Sequence, residues 1–231
     1  MGIDCTNMPR IWGAGQLLAF SGLDGFTNWA EPFVLHTGRE PGSLRTRLPV
    51  EAEIQFEGLR EPEFRLLLGD ALVADCANGP FRAGFVDHHT VVGEMPAGTE
   101  MLADGERVGK DPICIAGNQE VALTAVASHT RWVLHVHATG EGTAGETQCL
   151  EALSVDMDAV LAARAAFVGN LAVPSGLAPS EARLFRKAAS VIKVNVEAPC
   201  GVIGRRWTTP DRWPHRNMWL WDSAFHSLGL A

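Results

Sequence analysis

The chain has 231 residues, of which 46% are hydrophobic and 20% charged. That composition excludes a mainly disordered protein and is long enough for one large domain or two small ones. The formal net charge of −8 argues against a nucleic-acid or anionic-membrane partner, because both need clustered Lys and Arg.

Residues 1–10, Met1-Gly-Ile-Asp-Cys-Thr-Asn-Met-Pro-Arg10, read as an N-terminal tail. They hold no apolar core of signal-peptide length behind a basic start, and no run in the chain reaches the roughly 18 apolar residues of a membrane span. A cytoplasmic location is expected. Met1-Gly2 with Thr6 fits the loose myristoylation pattern but lacks a polybasic neighbour, so it carries no weight. Five cysteines, Cys5, Cys76, Cys114, Cys149 and Cys200, are odd in number and scattered, without a Cys-x-x-Cys pair. They read as reduced thiols and not as disulfides or a zinc site.

From Ile11 to about Leu150, short apolar or alternating runs are broken by Gly, Pro, Asp and Asn, the pattern of strands and turns. The clearest runs are Glu51–Phe56, Phe64–Leu68, Ala71–Cys76, Ile113–Ala116, Val121–Ser128 and Trp132–Ala138. The last two flank His129-Thr130 and predict a hairpin. Seven or more such strands predict a β-sandwich-like domain over residues 11–150.

After Cys149 the period changes to that of helices. Asp156–Leu171 aligns Val160, Phe167 and Leu171, and Ser180–Val194 aligns Leu184, Ala188, Val191 and Ile192, with Ser180 as the expected N-cap. Val173-Pro-Ser-Gly-Leu-Ala-Pro179 connects them. A last apolar helix begins near Asp222 and stops at Ala231 with nothing for Phe225, Leu228 and Leu230 to pack on. The expectation is that the chain is an N-terminal piece of a longer protein.

Trp207 to Ala231 concentrates four of the seven tryptophans among Asp211, Arg212, His215, Arg216 and Asp222. Two readings stand side by side. Asp222 is a helix cap with Trp219 and Trp221 as core packing, or the segment lines a cleft whose aromatic faces and polar groups suit a sugar, which has apolar C–H faces and a rim of hydroxyls.

Thr208-Thr-Pro-Asp-Arg-Trp-Pro-His215 followed by Met218-Trp-Leu-Trp-Asp-Ser-Ala-Phe-His226 closely resembles a signature of the mannosylglycerate-hydrolase-like glycosidases of glycoside hydrolase family 63. Lys193-Val-Asn-Val-Glu-Ala-Pro199 and Phe20-Ser-Gly-Leu-Asp-Gly25 resemble further segments of that family. The resemblance implies a multidomain architecture, β then α, in which residues 151–231 are a helical linker and the start of an incomplete (α/α)6 toroid. It implies an inverting glycosidase that hydrolyses α-glycosidic bonds of small carbohydrates without a cofactor. Trp219 and Trp221 would form the apolar walls of the sugar subsite and Asp222 would bind its hydroxyls.

Inversion needs an acid and a base roughly 6.5 to 9.5 Å apart. In the family both come from later parts of the toroid, so they are expected beyond Ala231 and no catalytic residue is assigned, Asp211 included. The rivals are a non-catalytic carbohydrate-binding protein and a sugar epimerase, which would use acid–base histidines. His135-x-His137 on one strand face, with His88-His89 elsewhere, reads as the polar outer face of an edge strand and not as a metal site, because no third ligand is suitably spaced. Glu61–Arg65 and Glu141–Glu146 read as solvated loops.

Overall fold

The computed structural model describes residues 15–38 and 42–230; the 1–10 tail, with Cys5 and the myristoylation pattern, lies outside them. Strand β1 spans Leu17–Ala19, β2 Val34–Thr37, β3 Ser43–Leu48, β4 Ala52–Glu57, β5 Glu63–Leu67, β6 Ala71–Cys76 and β7 Gly79–Phe85. Then come β8 at Thr90–Glu94, β9 at Glu100–Ala103, β10 at Glu106–Arg107, β11 at Ile113–Gly117, β12 at Val121–Ala127 and β13 at Arg131–Ala138. They form two antiparallel sheets, one ordered β1-β2-β3-β4-β9-β10 and the other β11-β12-β13-β8-β7-β6-β5.

Alternation gives the six-stranded sheet one apolar face: in β4, Ala52, Ile54 and Phe56 are buried while Glu53, Gln55 and Glu57 are exposed. That face meets the seven-stranded sheet through Phe56, whose ring centroid lies 4.7 Å from Phe81 and 5.0 Å from Trp132. Such tilted aromatic contacts add to the stabilisation from buried area.

The central strands of the seven-stranded sheet are covered on both sides. β12 is buried at every position, as its almost unbroken apolar sequence requires. In β13, Trp132, Leu134 and Val136 belong to the core between the sheets, whereas Val133 packs in a second core on the other face. Helices supply that second cover: α1 at Gly142–Ala152 lies over β12 and β13, and α2 at Met157–Gly169 over β6 and β7. Val126 and Val133 meet Cys149, Met157 and Leu161, while Leu66 and Leu68 meet Ala165 and Val168.

Helix α1 occupies the stretch read as a solvated loop. Gly142, Thr143 and Gly145 are poor helix formers, so docking on the sheet makes the helix. A Cβ on Gly145 would stand 2.3 Å from the His137 ring, and only glycine lets α1 lie so close to β13. The Asp156 carboxylate caps α2, accepting from the N–H groups of Asp158 at 3.0 Å and Ala159 at 3.4 Å. Helix α3 spans Pro179–Val194, and its N-cap position is held by Ala178, not Ser180. Pro179 fits the first helical position because it has no N–H to satisfy, and Glu181 reaches back to accept the Ala178 N–H at 2.7 Å.

A short antiparallel pair follows, β14 at Val196–Glu197 and β15 at Trp207–Thr208, and then α4 at Leu220–Leu230. These helices overturn the expected opening of an (α/α)6 toroid. A toroid begins with helices packed on one another, but α1 and α2 bury their apolar faces on the seven-stranded sheet. The fold is β-rich with helices layered on it, and no toroid opening is present among the described residues. None of the described helices is long and apolar enough to cross a membrane.

Candidate functional site

Three stretches distant in sequence, Phe20–Gly25, Lys193–Ala198 and Thr208–Arg212, converge at the C-terminal end of α3. Lys193 is 1% exposed. Its ammonium lies 2.6 Å from Asp70 and 2.8 Å from Asp24, and donates to the Arg164 carbonyl at 3.3 Å. Arg164 of α2 also reaches Asp24, at 2.9 Å. Burial pushes the Asp70 carboxyl above the usual carboxylate range, although the adjacent Lys193 pulls it back down. The Ser21 hydroxyl donates to the Lys193 carbonyl at 2.6 Å, tying the early loop to the helix.

Arg212, 2% exposed, is the second buried centre. It pairs with Glu197 and donates to the carbonyls of Val194, Phe20 at 2.6 Å and Val196 at 3.0 Å. A planar guanidinium with five donors can bind all four groups at once. Gly22 makes the crossing possible, since a Cβ there would lie 2.4 Å from the Ala198 nitrogen. Arg212 is therefore an interior strut, which corrects its reading as one of the polar groups of an open cleft. Asp211 accepts the Trp213 N–H at 3.1 Å and shapes the turn.

The predicted sugar-binding residues have the opposite environment. Trp219 is 50% and Trp221 70% exposed, so core packing is not their role. Asp222 is the third residue of α4 and not its cap: the Ser223 N–H donates to the Trp219 carbonyl at 2.9 Å, which puts Trp219 at the N-cap position. Asp222 makes no hydrogen bond or ion pair among the described residues. Met218, Leu220, Phe225 and Leu228 are exposed as well. Ser223 anchors the helix by donating to the Thr208 carbonyl at 2.9 Å. A cavity of about 410 Å³ lies between α4 and β15, lined by Arg206, Trp207, Thr208, Ser223 and Ser227 among others. Trp219 at the N-cap and Trp221 and Asp222 on the first turn of α4 all lie outside that lining.

The histidine pairs meet in space. β13 is an inner strand covered by α1, not an edge, because the parity that turns Trp132 inward turns His135 and His137 toward the helix. His135 bonds Thr90 through Nδ1 at 3.1 Å and Gln148 through Nε2 at 2.9 Å. His137 bonds Thr124 through Nε2 and the Ala138 carbonyl through Nδ1, both at 2.9 Å. His88 and His89 join them, with ring centroids 3.7 Å apart and His89 6.3 Å from His135. Four of the eight histidines thus form one ladder, and burial lowers His88 to about 4 and also lowers His89 and His135. With all four ring nitrogens of His135 and His137 engaged, the ladder is a hydrogen-bonding element; among the described residues no group of three or more His, Cys, Asp or Glu can hold a metal ion. The four described cysteines are free thiols.

Sequence reasoning missed Lys193 and Glu197 as organising residues. The available signal was two opposite charges four residues apart in the run Val191–Ala198, which is otherwise apolar except for Asn195. No family model matches the chain and no curated protein matches it.

Proposed function

We propose that this chain serves the hydrolysis of α-glycosidic bonds in small glycosides or oligosaccharides, by inversion, and that its α4 turn holds the sugar. Trp219 and Trp221 are the apolar walls, and Asp222 accepts hydrogen bonds from sugar hydroxyls. The observation that supports this is the pairing of two solvent-facing indoles with a carboxylate that has no protein partner among the described residues. An aromatic face buries the C–H face of a pyranose while an unpaired carboxylate takes its hydroxyls through charge-assisted bonds. Asp222 is the one carboxylate in α4, whereas inversion takes two, so its role is binding. The same count favours a non-catalytic carbohydrate-binding protein as the second reading.

Titration of the chain with methyl α-glucoside and methyl α-mannoside, read by tryptophan fluorescence, tests the proposal. Asp222→Asn removes the charge and keeps the shape, so affinity should fall about tenfold while the melting temperature stays unchanged. Where turnover is measurable, kcat/KM should fall by roughly 10² to 10³. Wild-type affinity in the variant would remove Asp222 from the site.

A further inference from the structure

Exposed large apolar side chains cluster in one part of the molecule. Among the described residues, Phe26 and Leu150 are the two that precede Leu177, while ten lie between Leu177 and Leu228. Six of those ten, Leu184, Val191, Leu220, Trp221, Phe225 and Leu228, stand on α3 and α4.

Helical spacing gathers them into two stripes. On α3, Leu184, Ala188 and Val191 follow at i, i+4 and i+7 and all are exposed; on α4, Trp221, Phe225 and Leu228 repeat that spacing, with Leu220 and Ala224 beside them. The other side of each helix is engaged, since Ser190 and Lys193 of α3 are buried and Ser223 of α4 bonds the Thr208 carbonyl. The helices are also neighbours: a Cβ on Gly229 of α4 would lie 2.8 Å from Ile192 Cδ1 of α3. The two stripes therefore make one face. Glu181 and Arg183, of opposite sign, sit at its α3 end, and Asp222 lies about 100° round α4 from Trp221, so no charge stands within the stripes.

The size of this face selects its occupant. Trp221 is 70%, Phe225 69%, Leu228 76%, Leu220 86% and Leu184 69% exposed. With an aromatic side chain worth about 150–250 Å² when fully covered, the six residues present on the order of 800 Å² per copy, which is about what each partner contributes to a specific interface. Relief matters as well as area. The α4 stripe is bulky, with Trp221 and Phe225, and the α3 stripe is low, with Ala188 and Val191. A two-fold axis lays the ridge of each copy against the low stripe of the other.

We infer that the α3–α4 face docks a second copy of this chain, forming a closed two-fold dimer through a four-helix contact. The dimer dissociates at concentrations on the order of 10 μM, because the contact is apolar and near the small end of specific interfaces. Below about 1 μM the monomer prevails, and α4 is then open to solvent. Trp221 belongs to both surfaces, so a bound sugar and a second copy exclude each other there. The dimer itself does not rest on the sugar reading, since Leu184, Val191, Phe225 and Leu228 lie outside the proposed sugar site.

Sedimentation equilibrium of the 231-residue chain, from about 1 to about 200 μM, is compared for the wild type, Phe225→Arg on α4, Leu184→Glu on α3 and Val202→Asp. Val202 is fully exposed and lies off both helices, so it controls for a general loss of surface hydrophobicity. The wild-type mass should rise with concentration and level at twice the monomer. Phe225→Arg and Leu184→Glu should each raise the dissociation constant by about a hundredfold, while Val202→Asp leaves it unchanged. The substituted side chains are exposed, so melting temperatures at about 1 μM should match the wild type. A wild type that stays monomeric overturns the inference, and so does a mass that climbs past the dimer, which is open-ended association. Dimers that persist in both helix variants, or that Val202→Asp disrupts equally, place the contact elsewhere and overturn it too.

Discussion

Lys193–Arg212 and Met218–Leu228 are nearly adjacent in sequence and opposite in environment. The first stretch puts Lys193, Glu197 and Arg212 inside the protein; the second leaves Trp219, Leu220, Trp221, Phe225 and Leu228 at the surface. Residue type alone would have assigned them the other way round. The buried charges are stable there because each has an opposite charge within reach and the two cations, Lys193 and Arg212, also donate to backbone carbonyls, which offsets the loss of water. Clustered apolar side chains at the surface mark an interaction surface, and this one carries the carboxylate that the sugar reading uses.

The sharpest break of this comparison is Arg212→Met. It leaves the Glu197 carboxylate buried without its counter-charge and strips donors from three carbonyls, so unfolding free energy should fall by about 3–5 kcal/mol in a urea titration. A loss below about 1 kcal/mol would mean that the buried centre is not a strut.

Acid tests the other buried polar centre, the histidine ladder. Burial holds His88 at about 4 and His89 and His135 below their ordinary value. An unfolded histidine takes its proton near 6.5, so the unfolded chain binds protons first as the pH falls. The ladder's contribution is therefore complete above about pH 6.5 and is lost between there and about pH 4. The melting temperature should drop by about 5 °C from pH 7.5 to pH 5, and His135→Gln should flatten that slope. A melting temperature constant over this range would show that the ladder protonates as freely as an unfolded chain.

The smallest effect belongs to the exposed half. Leu220→Gln and Leu228→Gln should change stability by no more than about 0.5 kcal/mol, because neither side chain is buried. A loss above about 2 kcal/mol in either would place α4 in the core and end the contrast between the two stretches.

Much of the strand content was legible because period-2 alternation is a local signal. Ala71–Cys76 reads as a strand and is β6, and the His129-Thr130 turn joins β12 to β13. The helices were harder. In α3 the stripe Leu184, Ala188 and Val191 is periodic yet faces solvent, while Ala189, Ser190, Lys193 and Val194 are buried. Partners for Lys193 sit on two loops, at Asp24 and Asp70, and on α2, beyond the reach of any window of sequence. Of the candidate site, the aromatic and acidic residues could be named from the chain, but Arg212 could not be told from them, since charge next to tryptophan looks the same inside or outside.

By itself the sequence determined which stretches could be strands, that Asp156–Leu171 and Ser180–Val194 could be helical, and that tryptophan and carboxylate crowd the Trp207–His226 segment, because these depend on neighbours a few residues apart. The tertiary structure decided that α1 and α2 cover a sheet and do not open a toroid. It decided that four histidines from two parts of the chain form one ladder, and that Trp213 packs on Arg47 and His36 at the outer face of the six-stranded sheet. Each depends on which distant surfaces meet, and burial, pairing and hydrogen-bond satisfaction are properties of that meeting and not of any residue alone.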